Sequence, residues 1–139
     1  MKKVFINTDI LLDVLSRREP FYHPAAELFS LLDNKKIDGL VSSLIFSNLF
    51  YILRKYSSRK TALQSLQKLK ALVTVASVDD SIVSLALASD FNDFEDAIQY
   101  YTAVKNKAAC LITRNIRDYK HPEIIVCSAE EFLKTYKFT

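Results

Sequence analysis

The stretch VFINTDILLDV, residues 4–14, passes from an apolar run into three polar residues and then returns to apolar sequence. Residues 3–7 have the composition of a short buried strand, and the apolar residues of 9–16 recur at helical spacing. A strand that leads directly into a helix is the repeating unit of parallel α/β sheets. Asn7, Thr8 and Asp9 therefore form either the cap of that helix or part of a functional site.

The same alternation continues along the chain. Apolar runs predict further strands at 39–41, 73–78, 109–113 and 123–127. Helical spacing predicts helices at 22–35, 44–53, 58–71, 80–88 and 93–106, and after Ser128. Their expected caps are Ser42 or Ser43, Asp79 or Asp80, Asp93, and Ser128. We predict an α/β fold, a three-layer α/β/α sandwich with a mainly parallel central sheet, in one domain over residues 1–139.

The composition excludes several classes of protein. Gly39 is the only glycine, which rules out the glycine-rich phosphate loops of P-loop and dinucleotide-binding proteins. Apolar runs are too short to cross a bilayer, and Asp9 and Asp13 interrupt what would be the core of a signal peptide. We therefore expect a cytoplasmic protein with no membrane association.

The cysteines and the basic residues have ordinary interpretations. Cys110 and Cys127 lie in neighbouring predicted strands and are expected to be reduced, buried thiols rather than zinc ligands. The net charge of +3 does not by itself indicate nucleic acid. Basic residues cluster near helix ends and loops, and each cluster taken singly is typical of solvated surface: Arg17 and Arg18, Arg54 and Lys55, Arg59 and Lys60, and Arg114 with Arg117 and Lys120.

Polar residues follow the strands at the edge where open parallel sheets bind ligands. They are Asn7, Thr8 and Asp9 after the first strand, Ser42, Ser43 and Asn48 after the second, and Thr113, Asn115 and Asp118 after the fourth. Asp93 and Asp96 begin the helix before the fourth strand. Taken singly, each carboxylate suits a helix start or a turn. Together, Asp9, Asp96 and Asp118 would repel one another at one sheet edge, and Mg²⁺ or Mn²⁺ would relieve that repulsion.

Four segments carry a resemblance to a known family. FINTDILLDVL, SSLIFSNLFYILRK, DFEDAIQYY and LITRNIRDY resemble the corresponding segments of PIN domains, the small nuclease fold that includes VapC-type toxins. The resemblance covers essentially the whole chain. It implies an α/β/α sandwich and a Mg²⁺- or Mn²⁺-dependent nuclease that cleaves RNA and, in some members, DNA.

The resemblance also assigns roles, with three departures from the family pattern. Asn7-Thr8-Asp9 replaces the usual Asp-Thr-Asn, Asn48 replaces a glutamate, and Asn115 and Asp118 compete for the last acidic position. The resemblance implies that the catalytic residues are Asp96, Asp118 and Asp9. The same three residues, with Asp93 and Asn7, are the implied metal ligands. Thr8, Asn48, Thr113 and Asn115 are expected to hydrogen-bond around the metal, and Arg114 and Arg117 to hold nucleic acid, with plain surface charge as the alternative.

Alternatives to an active ribonuclease stay open at this point. With Asn7 and Asn48 both uncharged, the chain is also consistent with a PIN fold that has lost catalysis and binds nucleic acid or protein. A phosphoacceptor receiver domain would use Asp79 or Asp80, but Arg114 stands near where its lysine belongs. Expected partners are RNA, an antitoxin protein and a second copy of the chain, the last from aromatic residues taken as a dimer face: Phe46, Phe50, Tyr51, Tyr100 and Tyr101.

Overall fold

The fold consists of five strands and seven α-helices in the described residues, 1–120 and 122–137 of a computed structural model. The strands are β1 (Lys2–Ile6), β2 (Ile37–Ser42), β3 (Thr74–Ala76), β4 (Cys110–Ile112) and β5 (Ile125–Cys127). The helices are α1 (Thr8–Leu15), α2 (Tyr22–Asp33), α3 (Ser43–Tyr56), α4 (Arg59–Leu72), α5 (Asp80–Ala88), α6 (Phe94–Lys105) and α7 (Ala129–Lys137). The alternation predicted from the sequence is confirmed.

The strands form one parallel sheet in the order β3-β2-β1-β4-β5. β1 lies at the centre because its apolar residues are buried on both faces, with Val4, Phe5 and Ile6 each 0% exposed. The chain moves outward from β1 to β2 and β3, then crosses to β4 on the other side. This change of direction opens a crevice at the carboxyl ends of β1 and β4, the position where open α/β sheets bind ligands.

Helices cover both faces of the sheet. The Cα of Gly39 lies close to the Leu32 side chain of α2, whereas Ser42, three residues further along β2, donates to Gln99 of α6. Side chains an odd number of residues apart point to opposite faces of a strand, so α2 and α6 lie on opposite sides of the sheet. The three-layer arrangement predicted from the sequence is therefore present, with α7 packed on α2 and α5 packed on α6.

The helix caps match the predictions at three positions and not at a fourth. Asp79 accepts from the backbone of Ile82, and Asp93 from that of Asp96. Ser128 and Glu131 form a reciprocal capping box. Ser42 occupies the N-cap position of α3 but its hydroxyl bonds to Gln99 instead, so the prediction of a serine side-chain cap there is wrong. A 3₁₀ turn, Ile116–Asp118, ends at Asp118, which is the position that the sequence also allowed as the end of a turn.

Two further expectations can be compared with the structure. Cys110 and Cys127 are free thiols, not joined by a disulfide, on the adjacent strands β4 and β5; Cys110 is buried and Cys127 is partly buried. Of the helices in the described residues, none is both long and apolar enough to span a membrane.

Gly39 is required by close packing rather than by an unusual backbone angle. A Cβ built on Gly39 would lie 2.4 Å from Cδ2 of Leu32, which is itself 4% exposed. We expect Gly39→Ala to lower the free energy of unfolding by about 1–3 kcal/mol because the buried leucine has little space to move into. Urea unfolding measures the loss, and the double variant Gly39→Ala/Leu32→Val should recover part of it. A wild-type midpoint for Gly39→Ala would contradict this account.

Candidate active site at the β1/β4 edge

Backbone pairing brings the ends of β1 and β4 together. Ile6 lies opposite Ile112, and the amide of Asn7 donates to the Ile112 carbonyl at 3.0 Å. The amide of Thr113 donates to the Cys127 carbonyl at 2.9 Å. The polar residues that follow the two strands, about 106 positions apart in sequence, are therefore immediate neighbours.

The hydroxyl of Thr113 connects the two segments. Thr113 is 0% exposed, accepts from Nδ2 of Asn7 at 3.3 Å and donates to Oδ2 of Asp9 at 3.1 Å. It also accepts from the backbone amide of Asn115 at 3.1 Å. One donated and two accepted bonds use the full capacity of a hydroxyl group. The Asn7-Thr8-Asp9 segment is therefore more than a helix cap, and Asn7 makes no side-chain cap bond to α1.

Asp9 points from the first turn of α1 toward the segment after β4. Its Oδ2 accepts from the Arg114 backbone amide at 2.7 Å, and its Oδ1 from the Ile10 amide at 2.9 Å. Burial raises the pKa of Asp9 above its ordinary value, and the bonds from Arg114 and Thr113 oppose that rise. Asp9 thus acts as an acceptor that fixes the Thr113–Arg114 backbone, and most of its lone pairs are already engaged.

Asp13 is a residue that the sequence reasoning did not assign to the site. It is 1% exposed, and its carboxylate pairs with Arg114 through Nε–Oδ2 and Nη2–Oδ1 contacts of 2.9 and 3.1 Å. The guanidinium lies 3.8 Å from the ring centre of Phe21. This two-point geometry is the strong form of an Arg–carboxylate pair. The signal in the sequence was a lone carboxylate within the apolar run ILLDVL.

The pairing of Arg114 bears on its expected role. Its side chain, predicted to hold nucleic acid, is held instead between Asp13 and Phe21. Arg117, the second predicted contact, is exposed in the turn Ile116–Asp118. A role for either residue in nucleic-acid binding stays a prediction, and Arg117 is the more accessible of the two.

Asp96 lies in the first turn of α6, where negative charge accumulates. Its pKa is raised to about 6, first by burial and then by the neighbouring carboxylates Asp93, Asp118, Glu95 and Asp9, in that order of importance. The hydroxyl of Tyr119 lies 3.5 Å from Oδ1 of Asp96. Burial also raises the pKa of the Tyr119 phenol, so the hydroxyl keeps its proton and faces the carboxylate as a donor. Sequence reasoning missed Tyr119 because it resembles an ordinary core aromatic residue.

The other predicted residues occupy varied positions. Asp118 and Asn115 are exposed in or beside the 3₁₀ turn, and Asp93 is an exposed helix cap. Asn48 is half-buried in the second turn of α3. Thr8 Oγ1 is buried, and among the described residues it has no hydrogen-bond partner; the same holds for Nε2 of Gln99, one turn after Asp96. In the described part of the chain, the site thus combines buried polar atoms that lack a hydrogen-bond partner with a group of neighbouring carboxylates.

The carboxylates at this edge could hold a magnesium-like ion only if water or substrate supplied most of its ligands. Among residues 1–120 and 122–137, no three His, Cys, Asp or Glu side chains are close enough together to hold a metal ion. The expected set of four carboxylates and Asn7 is therefore not assembled as a compact cage. Mg²⁺ commonly keeps several waters and takes one or two protein carboxylates, the rest coming from substrate phosphates. Asp96, with Asp118 as its electrostatic neighbour, fits that requirement.

The fold and this edge define the class of protein. Residues 3–117 match the PIN domain family, and this match covers most of the chain. The chain belongs to the PIN domain family, as its sequence segments indicated. The receiver-domain alternative is thereby excluded, and Asp79 instead caps α5 and lies 3.8 Å from Lys105.

One protein of similar sequence and two solved structures of similar fold illustrate the relationship. The chain is 26% identical over 140 residues to Ribonuclease VapC1 of Aquifex aeolicus (strain VF5), covering 97% of this chain and 96% of that protein. Its fold is similar to a toxin–antitoxin complex from Klebsiella pneumoniae, with a TM-score of 0.69, 20% identity and coverage of 91% and 97%. It is similar to DNA-bound VapBC from Salmonella typhimurium, with a TM-score of 0.69, 17% identity and coverage of 92% and 98%. At these identities the structural likenesses establish the fold alone.

The Asp13–Arg114 pair gives a prediction about stability. We expect Asp13→Asn to lower the free energy of unfolding by about 3 kcal/mol, because the partly buried guanidinium loses its counter-charge. Replacing both partners, as Asp13→Leu/Arg114→Met, should recover much of the loss because no unpaired charge is left. Urea unfolding compares the variants, and equal midpoints for Asp13→Asn and wild type would refute the role of the pair.

The raised pKa of Asp96 predicts a stability that depends on pH. The carboxyl titrates near 3.8 when unfolded and near 6 when folded, so its contribution is fully present below about pH 4 and is lost as the pH rises through 6. We therefore expect Asp96→Asn to melt at a higher temperature than wild type at about pH 7.5, with the difference vanishing near pH 4. Thermal melts across this range test the prediction; a variant that is less stable at the higher pH would contradict it.

Proposed function

We propose that this PIN domain is a divalent-metal-dependent endoribonuclease whose central residue is Asp96. The observation that carries the proposal is the half-buried Asp96 carboxylate, whose pKa is raised to about 6 by burial and by surrounding carboxylates at the β1/β4 edge. Negative charge held at such a cost to stability is typical of functional sites. The similarity to a ribonuclease over almost the full length of both chains supports RNA as the substrate.

The chain's own residues would divide the work as follows. Asp96 and Asp118 would hold Mg²⁺ or Mn²⁺, and Asp93 would add negative charge and fix the start of α6. Asp9 would hold the Thr113–Arg114 segment, with Asn7 and Thr113 completing that connection. Thr8, Asn48 and Asn115 would bond to water or phosphate, and Arg117 would contact the RNA backbone. The bound ion would activate a water and neutralise charge on the phosphate.

We further propose that the chain is the toxin of a toxin–antitoxin pair. Support comes from solved structures of similar fold, which include a toxin–antitoxin complex and DNA-bound VapBC. A homodimer remains a prediction with reduced support from aromatic residues. Tyr100 is 5% exposed and packs against Phe91 and Tyr119, whereas Tyr51 is 70% exposed. The five aromatic residues therefore do not form a single exposed patch.

Metal binding and cleavage test the proposal together. We expect Mn²⁺ to bind wild type by calorimetry and to raise its melting temperature, and binding should weaken below about pH 6 as Asp96 takes up a proton. Asp96→Asn should lose Mn²⁺ binding and cleavage of a mixed-sequence RNA. Asp33→Asn, an exposed carboxylate at the end of α2, is the matched control and should behave as wild type.

Two results would count against the proposal. Wild-type cleavage by Asp96→Asn would remove Asp96 from its assigned role. An RNA left intact by wild type in Mn²⁺, at a pH where Asp96 is ionised, would instead favour the binding-module alternative.

A further inference from the structure

Positive charge is concentrated in one helical hairpin, which we define as α3 and α4 with the turn between them. Residues 39–78 contain six Lys and Arg and no Asp or Glu. These six are among the 19 Lys and Arg of the chain, so the other residues hold 13 against 16 Asp and Glu. The molecule is therefore divided into a cationic hairpin and a body in which carboxylates are in excess.

All six cations of the hairpin are exposed: Arg54, Lys55, Arg59, Lys60, Lys68 and Lys70. In the part of the chain that the structure describes, none of them is within salt-bridge distance of a carboxylate. An ordinary solvated surface mixes charges of both signs, which pair or screen each other. An unbalanced stretch of this length instead produces a positive field that attracts a polyanion.

Exposed aromatic rings lie among these cations. Tyr51 is 70% exposed and Tyr56 79% exposed, although the neighbouring Leu49 and Leu53 of α3 are buried. Residues three, four and seven apart share one face of a helix. Asn48, Tyr51 and Lys55 therefore form a stripe along the outside of α3, with Arg54 beside it.

Helix α3 starts beside the candidate active site. Ser42, directly before α3, donates to Gln99 at 2.7 Å, and Gln99 is one turn after Asp96 on α6. α3 has 14 residues and extends about 21 Å from this point. A strand of RNA whose phosphate lies at Asp96 therefore meets the base of the hairpin first and its cationic tip further on.

We propose that the α3–α4 hairpin binds the single-stranded RNA substrate, with phosphates held by its cations and a base stacked on Tyr51. This inference rests on the proposed ribonuclease function and names the surface that holds its substrate. Such a surface is needed because the acidic edge repels RNA and Arg114 is committed to Asp13. Exposed aromatics between cations are the combination that binds single strands without sequence preference. An acidic protein partner would use the charges but has no bases to stack on the rings.

A binding assay without cleavage tests the hairpin. The probe is a fluorescein-labelled single-stranded RNA of about 20 nucleotides, measured by anisotropy in EDTA and checked on a gel for intactness. We compare Lys55→Gln/Arg59→Gln with the control Lys36→Gln/Lys134→Gln, which removes the same charge at exposed positions outside the hairpin. The hairpin variant should bind about tenfold or more weakly than the control, and its log–log salt slope should be shallower by about 1.4.

Substitutions of Tyr51 separate stacking from charge. Tyr51→Leu should weaken RNA binding at least about fivefold, and Tyr51→Phe should not, because either aromatic ring stacks on a base. Circular dichroism confirms that each variant is folded. Equal RNA affinities for the hairpin and control double variants would overturn the proposal and leave the cations to a protein partner, and equal affinities for Tyr51→Leu and Tyr51→Phe would overturn the stacking.

The two proposals fail in different measurements. Asp96→Asn should retain RNA binding in EDTA, since the hairpin is intact, while losing cleavage in Mn²⁺. If the wild type binds RNA through the hairpin but does not cleave it in Mn²⁺, the ribonuclease proposal fails and the hairpin proposal stands. Hairpin-independent binding by a chain that still cleaves RNA refutes only the present inference.

Discussion

The arrangement of the site depends on the three hydrogen bonds made by the buried hydroxyl of Thr113. It receives a bond from Asn7, gives one to Asp9 and receives one from the backbone of Asn115. Because Thr113 is fully buried, a hydrogen-bonding group that lost its partner here could not bond to solvent instead, so each of these bonds matters for stability. The Asp13–Arg114 pair reinforces the same segment from the α1 side. Together they give the turn that carries Asp118 a fixed position relative to β1.

The carboxylates of the site fall into two groups, those that are paired with hydrogen-bond donors or a cation and those that are not. Asp9 and Asp13 are compensated by backbone amides and a guanidinium, so they contribute to holding the fold. Within the described residues, the Asp96 carboxylate is paired with no cation and accepts only a long bond from the Tyr119 hydroxyl, while its charged neighbours are carboxylates. Clustered carboxylates without a paired cation are favoured when another species supplies positive charge, and this is the physical reason for the cation proposed above.

The sequence predicted the element order well because the strands are apolar on both faces and the helices have clear periodicity. It also predicted which segments would meet, since the ends of parallel strands lie at one edge. Side-chain partners were harder to infer. Asn7 resembled a helix cap but donates to Thr113, and Ser42 resembled a cap but donates to Gln99. Asp13 and Arg114 lie about 101 positions apart, and no local pattern reports a contact of that range.

The order of the elements along the chain has a consequence for protein synthesis. The polar network at the sheet edge joins residues 7–13 to residues 113–115, so its two halves emerge from the ribosome at widely separated times. Until residues 113–115 have been made, Asn7, Asp9 and Asp13 lack the long-range side-chain partners Thr113 and Arg114. β1 likewise lacks one of its two neighbouring strands. The nascent polypeptide therefore carries no assembled site until residues 113–115 have emerged and can pair with residues 7–13.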